Sequence, residues 1–204
     1  MKLAALLPLF FTVSLAASIA RDEPSFCHDL DCPKYTLVDK KNGYEIRKYD
    51  PSKWVGTTIS SLNFSSAAHT GFERLFKYIS GENTANEKIP MAAPVATKIV
   101  PGQGPACETN FTVLFFTPFA YQNNTPAPTN PQLAIVNLPA ITAYVASFGG
   151  WEEDKELQEH ASELTERLVE DKVDYVKDFY FTASYDSPYR IIDRHNEVWL
   201  LAVD

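Results

Sequence analysis

One order of elements occurs twice in this chain, and that repetition constrains the fold more than any single motif. "GYEIRKYDPSKWVGTTIS" alternates Tyr44, Ile46 and Lys48 against Glu45, Arg47 and Tyr49, turns at Asp50-Pro51-Ser52, and continues as "KWVGTTI", which predicts a hairpin. From Ser65, the residues Ala68, Phe72, Leu75, Phe76 and Ile79 recur at helical spacing until Gly81, which predicts an amphipathic helix. "VATKIV" and "FTVLFF" then read as strands, separated by "PGQGPACETN" and closed by Pro118. After the Pro-rich "YQNNTPAPTNP" the order returns. "LAIVNLPAITAYVASF" reads as a hairpin, Trp151 to about Glu170 as a helix, and "DFYFTASY" and "NEVWLLAV" as strands. In the second helix Leu157, Ala161, Leu164 and Leu168 form the apolar stripe, and Glu152, Glu153, Glu156, Glu159, Glu163 and Glu166 a solvated acidic face. The implied architecture is α+β, with eight or so mostly antiparallel strands covered by two helices. Residue identity between the halves is low, so the duplication rests on the order of elements.

At 204 residues, 45% hydrophobic and 22% charged, the chain has the proportions of one globular domain. Lys2 precedes an uncharged run from Leu3 to Ala20 that ends in "AASIA", the pattern of a secretory signal, with cleavage expected after Ala20. The alternative is a retained signal anchor. Removing residues 1–20 takes away one Lys and leaves 17 basic against 26 acidic side chains, a net charge of −9. That sign argues against nucleic acid or an anionic membrane as partner. Residues 21–41 are polar and without period, so they are expected to form a cysteine-bearing N-terminal arm, with the folded body at 42–204. In an oxidising compartment Cys27, Cys32 and Cys107 have a disulfide as their default state; "CHDLDC" closes a small loop or one of its cysteines reaches Cys107. Export also gives meaning to the glycosylation sequons at Asn63, Asn110 and Asn123.

Several strings resemble, in order and spacing, the SOUL haem-binding protein family: "YEIRKYDPSKWVGTTI", "GFERLFKYISGEN", "KIPMAAPVATKIVPG", "FGGW" and "FTASYDSPYRIIDRHNEVWLLAV". The resemblance covers about residues 42–204. It implies a distorted antiparallel β-barrel made from a duplicated βαβββ unit with two flanking helices. It also implies a non-catalytic protein whose ligand is haem or a related tetrapyrrole, and together with the leader pattern the expectation is a secreted, extracellular one. One branch of the family has been proposed to use an axial His in the "YEIR-x-Y" strand, where this chain has Lys48. A normally protonated Lys is a poor iron ligand. The other branch implies a groove between the first helix and the loop joining the last two strands. Carried over, that groove takes His69, Phe72, Phe76 and Lys77 from the helix and Tyr185, Pro188, Tyr189 and Arg190 from the loop. Lys77 and Arg190 would meet ring propionates, and His69 is the candidate axial ligand. The favoured arrangement holds the ring by apolar faces and propionate contacts without coordination by His69.

The same residues have ordinary readings: Phe72 and Phe76 as core, Lys77 as a solvated cation, His69 as a surface residue. His28, His160 and His195 share no metal-ligand spacing. "PGQGPAC" is no phosphate cradle, and the chain holds no G-x-S-x-G elbow. Spacing singles out none of Glu45, Glu73 and Glu197 as an acid or base. In "KIPMAAPVATKIVPG", Pro90 and Pro94 fix extended backbone at the entry to a strand and Ala92 and Ala93 permit close approach. Two alternatives remain: a module for another hydrophobic small molecule, or an enzyme that is hydrolytic or acts on the tetrapyrrole. A buried groove carboxylate with a raised pKa would mark the second.

Overall fold

The computed structural model describes residues 24–102 and 108–203. Among these, one antiparallel sheet contains β1 (Tyr35–Lys41), β2 (Tyr44–Tyr49), β3 (Ser52–Ser61), β4 (Val95–Val100), β5 (Thr109–Phe116), β6 (Ala134–Leu138), β7 (Ile141–Phe148), β8 (Tyr180–Ser184) and β9 (Asn196–Leu201). Their order is β1-β2-β7-β9-β8-β4-β5-β3-β6. The sheet curls into a distorted barrel that does not close. The helices are α1 (Phe64–Ile79) and α2 (Asp154–Glu170).

The duplication is visible in the pairing. β4 and β8 lie together at the centre with Thr97 opposite Thr182, and moving outward the first half contributes β5 and β3 where the second contributes β9 and β7. Each half lends its first strand to the other: β2 pairs with β7, and β6 pairs with β3. The two expected hairpins are therefore corners. β2 turns through Asp50-Pro51 into β3 without pairing with it, and β6 turns through Pro139-Ala140 into β7 likewise. A two-residue hairpin needs left-handed backbone, whereas proline fixes φ near −65°, so neither connection folds back on itself. A true hairpin lies just upstream, where Asn42-Gly43, with Gly43 at φ 86°, joins β1 to β2. β1 thus extends the sheet into residues expected to form an arm.

Alternation along the strands sorts the core. Val55, Val113 and Phe115 face α1, and Val198 and Leu200 face α2. Trp54, Leu114, Phe116 and Trp199 point to the opposite face, which the N-terminal segment closes with Cys27 and Cys32. These two cysteines are disulfide-bonded across a Cα–Cα distance of 6.2 Å. Cys107 and the leader lie outside the described residues. Ala92 and Ala93 are buried against this arm, and the Ala93 N–H donates to the Asp31 carbonyl at 3.0 Å.

α1 begins where Asn63 Oδ1 accepts from the Ser66 N–H at 2.8 Å, an N-cap worth about 1 kcal/mol. Its buried face is Phe64, Ala67, Gly71, Leu75, Tyr78 and Ile79, so the apolar stripe is rotated from the expected one. Gly71 is the cause: a Cβ there would stand 2.7 Å from Val113 Cβ, so the helix lies on β5 along its glycine side. Phe72 is left half-buried and Phe76 is 50% exposed.

Candidate functional site

The rotation of α1 turns an aromatic pair outward. Phe72 and Phe76 stack 5.8 Å apart at an interplanar angle of 13°, with Phe72 edge-on to Phe115 beneath. They floor a groove of about 640 Å³ that also takes in Ala68, His69, Glu73 and Lys77 from α1 and Val95 from β4. Its far wall is Ser184, Asp186, Pro188 and Arg194, and its end is Trp151 and Glu152. A second depression of about 460 Å³ shares Phe72, Phe76, Val95, Ser184, Asp186 and Pro188 and continues past Met91, Tyr185 and Tyr189. The two make one continuous apolar trough within the size range of small-molecule sites.

Seven of the eight residues named from the sequence line this trough: His69, Phe72, Phe76, Lys77, Tyr185, Pro188 and Tyr189. Their environments differ. Tyr189 is 92% exposed at the rim, whereas Tyr185 is buried with its hydroxyl donating to Glu197 Oε2 at 2.9 Å. The His69 side chain is 74% exposed, with Nε2 3.5 Å from Glu73 Oε1. Arg190 does not line the trough. It folds back into its own loop, with Nε 3.1 Å from Asp186 Oδ1 and donating to the carbonyls of Ile192 and Asp193.

The cation facing the groove from that loop is Arg194. Its guanidinium lies over the Trp151 ring at 4.3 Å and donates to the carbonyls of Gly150, Ser187 and Arg190 at 2.8–3.1 Å. It clamps the 186–194 loop to the segment before α2. Asp186 fixes the base of the same loop, accepting from the His195 N–H at 2.5 Å and meeting His28 Nε2 at 2.8 Å.

Sequence reasoning missed Trp151 and Glu152 because it started α2 at Trp151. The helix begins at Asp154, whose Oδ1 accepts from the Phe64 N–H at 2.7 Å and ties the two helix starts together. Glu152 therefore escapes the solvated face assigned to it by helical spacing. Its Oε1 is shut off from solvent without a hydrogen-bond partner, and burial pushes its pKa up to about 7 against the opposing pull of Arg194 and Ser184. The double glycine of "FGGW", with Gly150 at φ 81°, is the signal that would have moved the helix start.

Behind the loop lies a fully buried carboxylate. Glu197 is 0% exposed and accepts from Arg47 at 2.8 Å, Trp199 at 2.7 Å and Tyr185 at 2.9 Å, with His195 Nε2 at 2.8 Å. Burial alone would raise this carboxyl, yet the His195 hydrogen bond, the Arg47 charge and the Trp199 hydrogen bond hold it below the usual range. Phe26 of the N-terminal segment stacks on His195 at 4.0 Å and 3°. With every oxygen partnered, this cluster is a structural bolt between β2, β9, the loop and the N-terminal segment.

Comparison with known proteins identifies the family. The family model described as SOUL heme-binding protein matches residues 30–201. Heme-binding protein 2 of Homo sapiens is 39% identical over 158 residues, 78% of this chain and 77% of the relative. Heme-binding protein 1 of Xenopus laevis is 32% identical over 169 residues, 81% of this chain and 88% of the relative. Among solved structures, the EcmrR C-terminal domain superposes with a TM-score of 0.59 at 12% identity, covering 83% of this chain and 99% of that one, a likeness of fold. A model match that begins at Leu30 and runs through β9 takes in β1 as well as both halves of the duplicated sheet, and the chain belongs to the SOUL heme-binding protein family.

Proposed function

We propose that this chain is an exported, non-catalytic haem- or tetrapyrrole-binding protein that holds the ring in the α1 groove. The observation that carries the reading is the stacked Phe72–Phe76 pair, turned out of the core to floor a groove of about 640 Å³. A flat macrocycle lies on such a floor and packs its edge against Pro188 and Trp151. Lys77, exposed at one end of the groove, meets a ring carboxylate, and Arg194 supplies positive charge at the other. Iron coordination is no part of the reading, because His69 stands exposed on the helix beside Glu73. Titration of the mature chain with hemin should give a saturable, one-to-one Soret shift. Lys77→Glu should weaken it and His69→Ala should leave it nearly unchanged. A shift no larger than that given by an acidic control protein sinks the proposal.

Export is supported by the leader pattern, the Cys27–Cys32 disulfide, and the exposure of Asn63, Asn110 and Asn123. The secreted product should begin at Arg21 and lose mass on peptide-N-glycosidase treatment; an intact Met1 on an unglycosylated cytosolic product would contradict it.

One observation favours a second reading. Glu152 is a groove carboxyl with a raised pKa, the feature that marks an acid or base. Ser184 and Arg194 pull that pKa down, and Asp186 is engaged by His28 and Arg190. Mass spectrometry of hemin after long incubation separates the readings: unchanged tetrapyrrole is expected, and a protein-dependent product would install the enzyme. Thermal-shift screening against haem, other porphyrins and flat hydrophobic cations tests a different small-molecule ligand.

A further inference from the structure

Glu152 is out of place by the rules of packing. An apolar trough has no need of a carboxyl, and a buried oxygen without a hydrogen-bond partner is rare in a folded protein because nothing replaces the water it gave up. Two events satisfy that group: a proton, or a ligand atom placed against it.

The charged groups around it are accounted for. From α1, His69 and Glu73 face each other at 3.5 Å, and Lys77 stands exposed. From the 186–194 loop, Asp186 is engaged by His28 and Arg190, while Arg194 is spread over Trp151 and three carbonyls. On its own segment Glu153 is exposed, and Asp154 is tied to the Phe64 N–H. Ser184 on β8 and Arg194 pull the Glu152 pKa down, yet Oε1 keeps no hydrogen-bond partner, and that oxygen is the one a ligand can meet. Burial pushes its pKa up to about 7, so near neutrality it exchanges its proton readily.

We propose that Glu152 is a proton-operated reader of ligand carboxylates: in its acid form the O–H donates to a carboxylate on the ring edge, so that a dicarboxylate tetrapyrrole enters the groove together with one proton. The inference rests on the haem reading and adds the ligand's carboxylate as a recognised group. As the ionised form, Glu152 repels that carboxylate and is stranded beneath the ring without solvent. As the acid, it removes both penalties and satisfies its orphaned oxygen.

The test is isothermal titration calorimetry of the mature full chain with hemin at pH 8, repeated in buffers of different ionisation enthalpy. Wild type should take up roughly 0.5–1 proton per hemin bound, because most Glu152 is ionised before binding. Glu152→Gln, which keeps a donor but does not titrate, should take up close to none and bind hemin on the order of tenfold more tightly at this pH. His69→Gln, which removes the imidazole facing the same groove, should retain the wild-type uptake. Hemin dimethyl ester should bind wild type without the carboxylate-linked gain in affinity at lower pH. Unchanged proton uptake in Glu152→Gln, or hemin binding to wild type with no uptake, overturns the inference and leaves the haem reading standing. Absence of hemin binding to wild type overturns both.

Discussion

Among the described residues, duplication gives two equivalent depressions of very unequal size. Beside α1 the groove measures about 640 Å³; beside α2, among the described residues, the corresponding depression measures about 240 Å³. Each is built from a helix flank, the residues before the other helix, and the ends of β4 and β8. The pairing of Thr97 with Thr182 sets the correspondence: Val95 in the first site answers to Tyr180 in the second, and Ser184 answers to Ile99. The α2 site is plugged by Tyr180, Ile99, Phe111 and Leu157. Side-chain volume at a few equivalent positions, with the backbone plan retained, separates a wide groove from a narrow one.

The walls differ in the same way. The 186–194 loop is bolted through Tyr185 and His195 to Glu197, and the residue equivalent to Glu197 in the first half is Thr112, which only bonds Thr58 across β3. The largest expected effect follows from this difference. Glu197→Ala leaves Arg47 buried without its main partner and should cost about 3–5 kcal/mol in urea unfolding. Thr112→Ala should cost well under half of that. Equal costs would remove the asymmetry between the walls.

Glu152 gives the next effect, and its sign can be fixed. Its pKa is raised in the fold, so the folded protein binds more protons than the unfolded chain between the ordinary carboxyl value and about 7. The stability tied to this group is therefore fully present at pH below the ordinary value and is lost as pH rises through about 7. Glu152→Gln should be more stable than wild type at pH 8 by on the order of 1–3 kcal/mol and close to it at pH 5. A mutant equally stabilised at both pH values would mean that Glu152 does not titrate as described.

A smaller change probes why the groove exists. Gly71→Ala forces a Cβ against Val113 and should cost about 1–3 kcal/mol in thermal or urea unfolding. No measurable loss would show that α1 does not depend on its close approach to β5.

The order of elements, both helices and the aromatic flank of α1 were legible because helical and strand periods are written in side-chain polarity. Which strands pair was not. A period of two shows that β2 and β3 are strands, but only proline in their short connection warns that they part at a corner. Asn42-Gly43 carried a readable hairpin signal, and β1 was missed because its side chains are nearly all exposed and show no alternation. At the site, Phe72, Phe76 and Lys77 came from the family resemblance, whereas helical spacing alone put the two phenylalanines on the core stripe. Arg194 in place of Arg190 was not legible, because a loop has no period and its backbone decides which arginine turns inward. Glu197 looked like any strand carboxylate; its burial depends on Arg47, 150 residues away in the chain.

The central claim is that the larger member of the pair is the tetrapyrrole site. Val95→Tyr copies into the α1 groove the residue that plugs its counterpart, at a strand position where tyrosine is well tolerated. Hemin titration followed at the Soret band, with wild type and Val95→Tyr compared at equal folded concentration, tests the claim directly. A saturable one-to-one shift in wild type that weakens at least about tenfold in Val95→Tyr, on the order of 1.4 kcal/mol or more, is the predicted result. Wild-type affinity in a folded Val95→Tyr protein would place the ligand elsewhere and contradict the account.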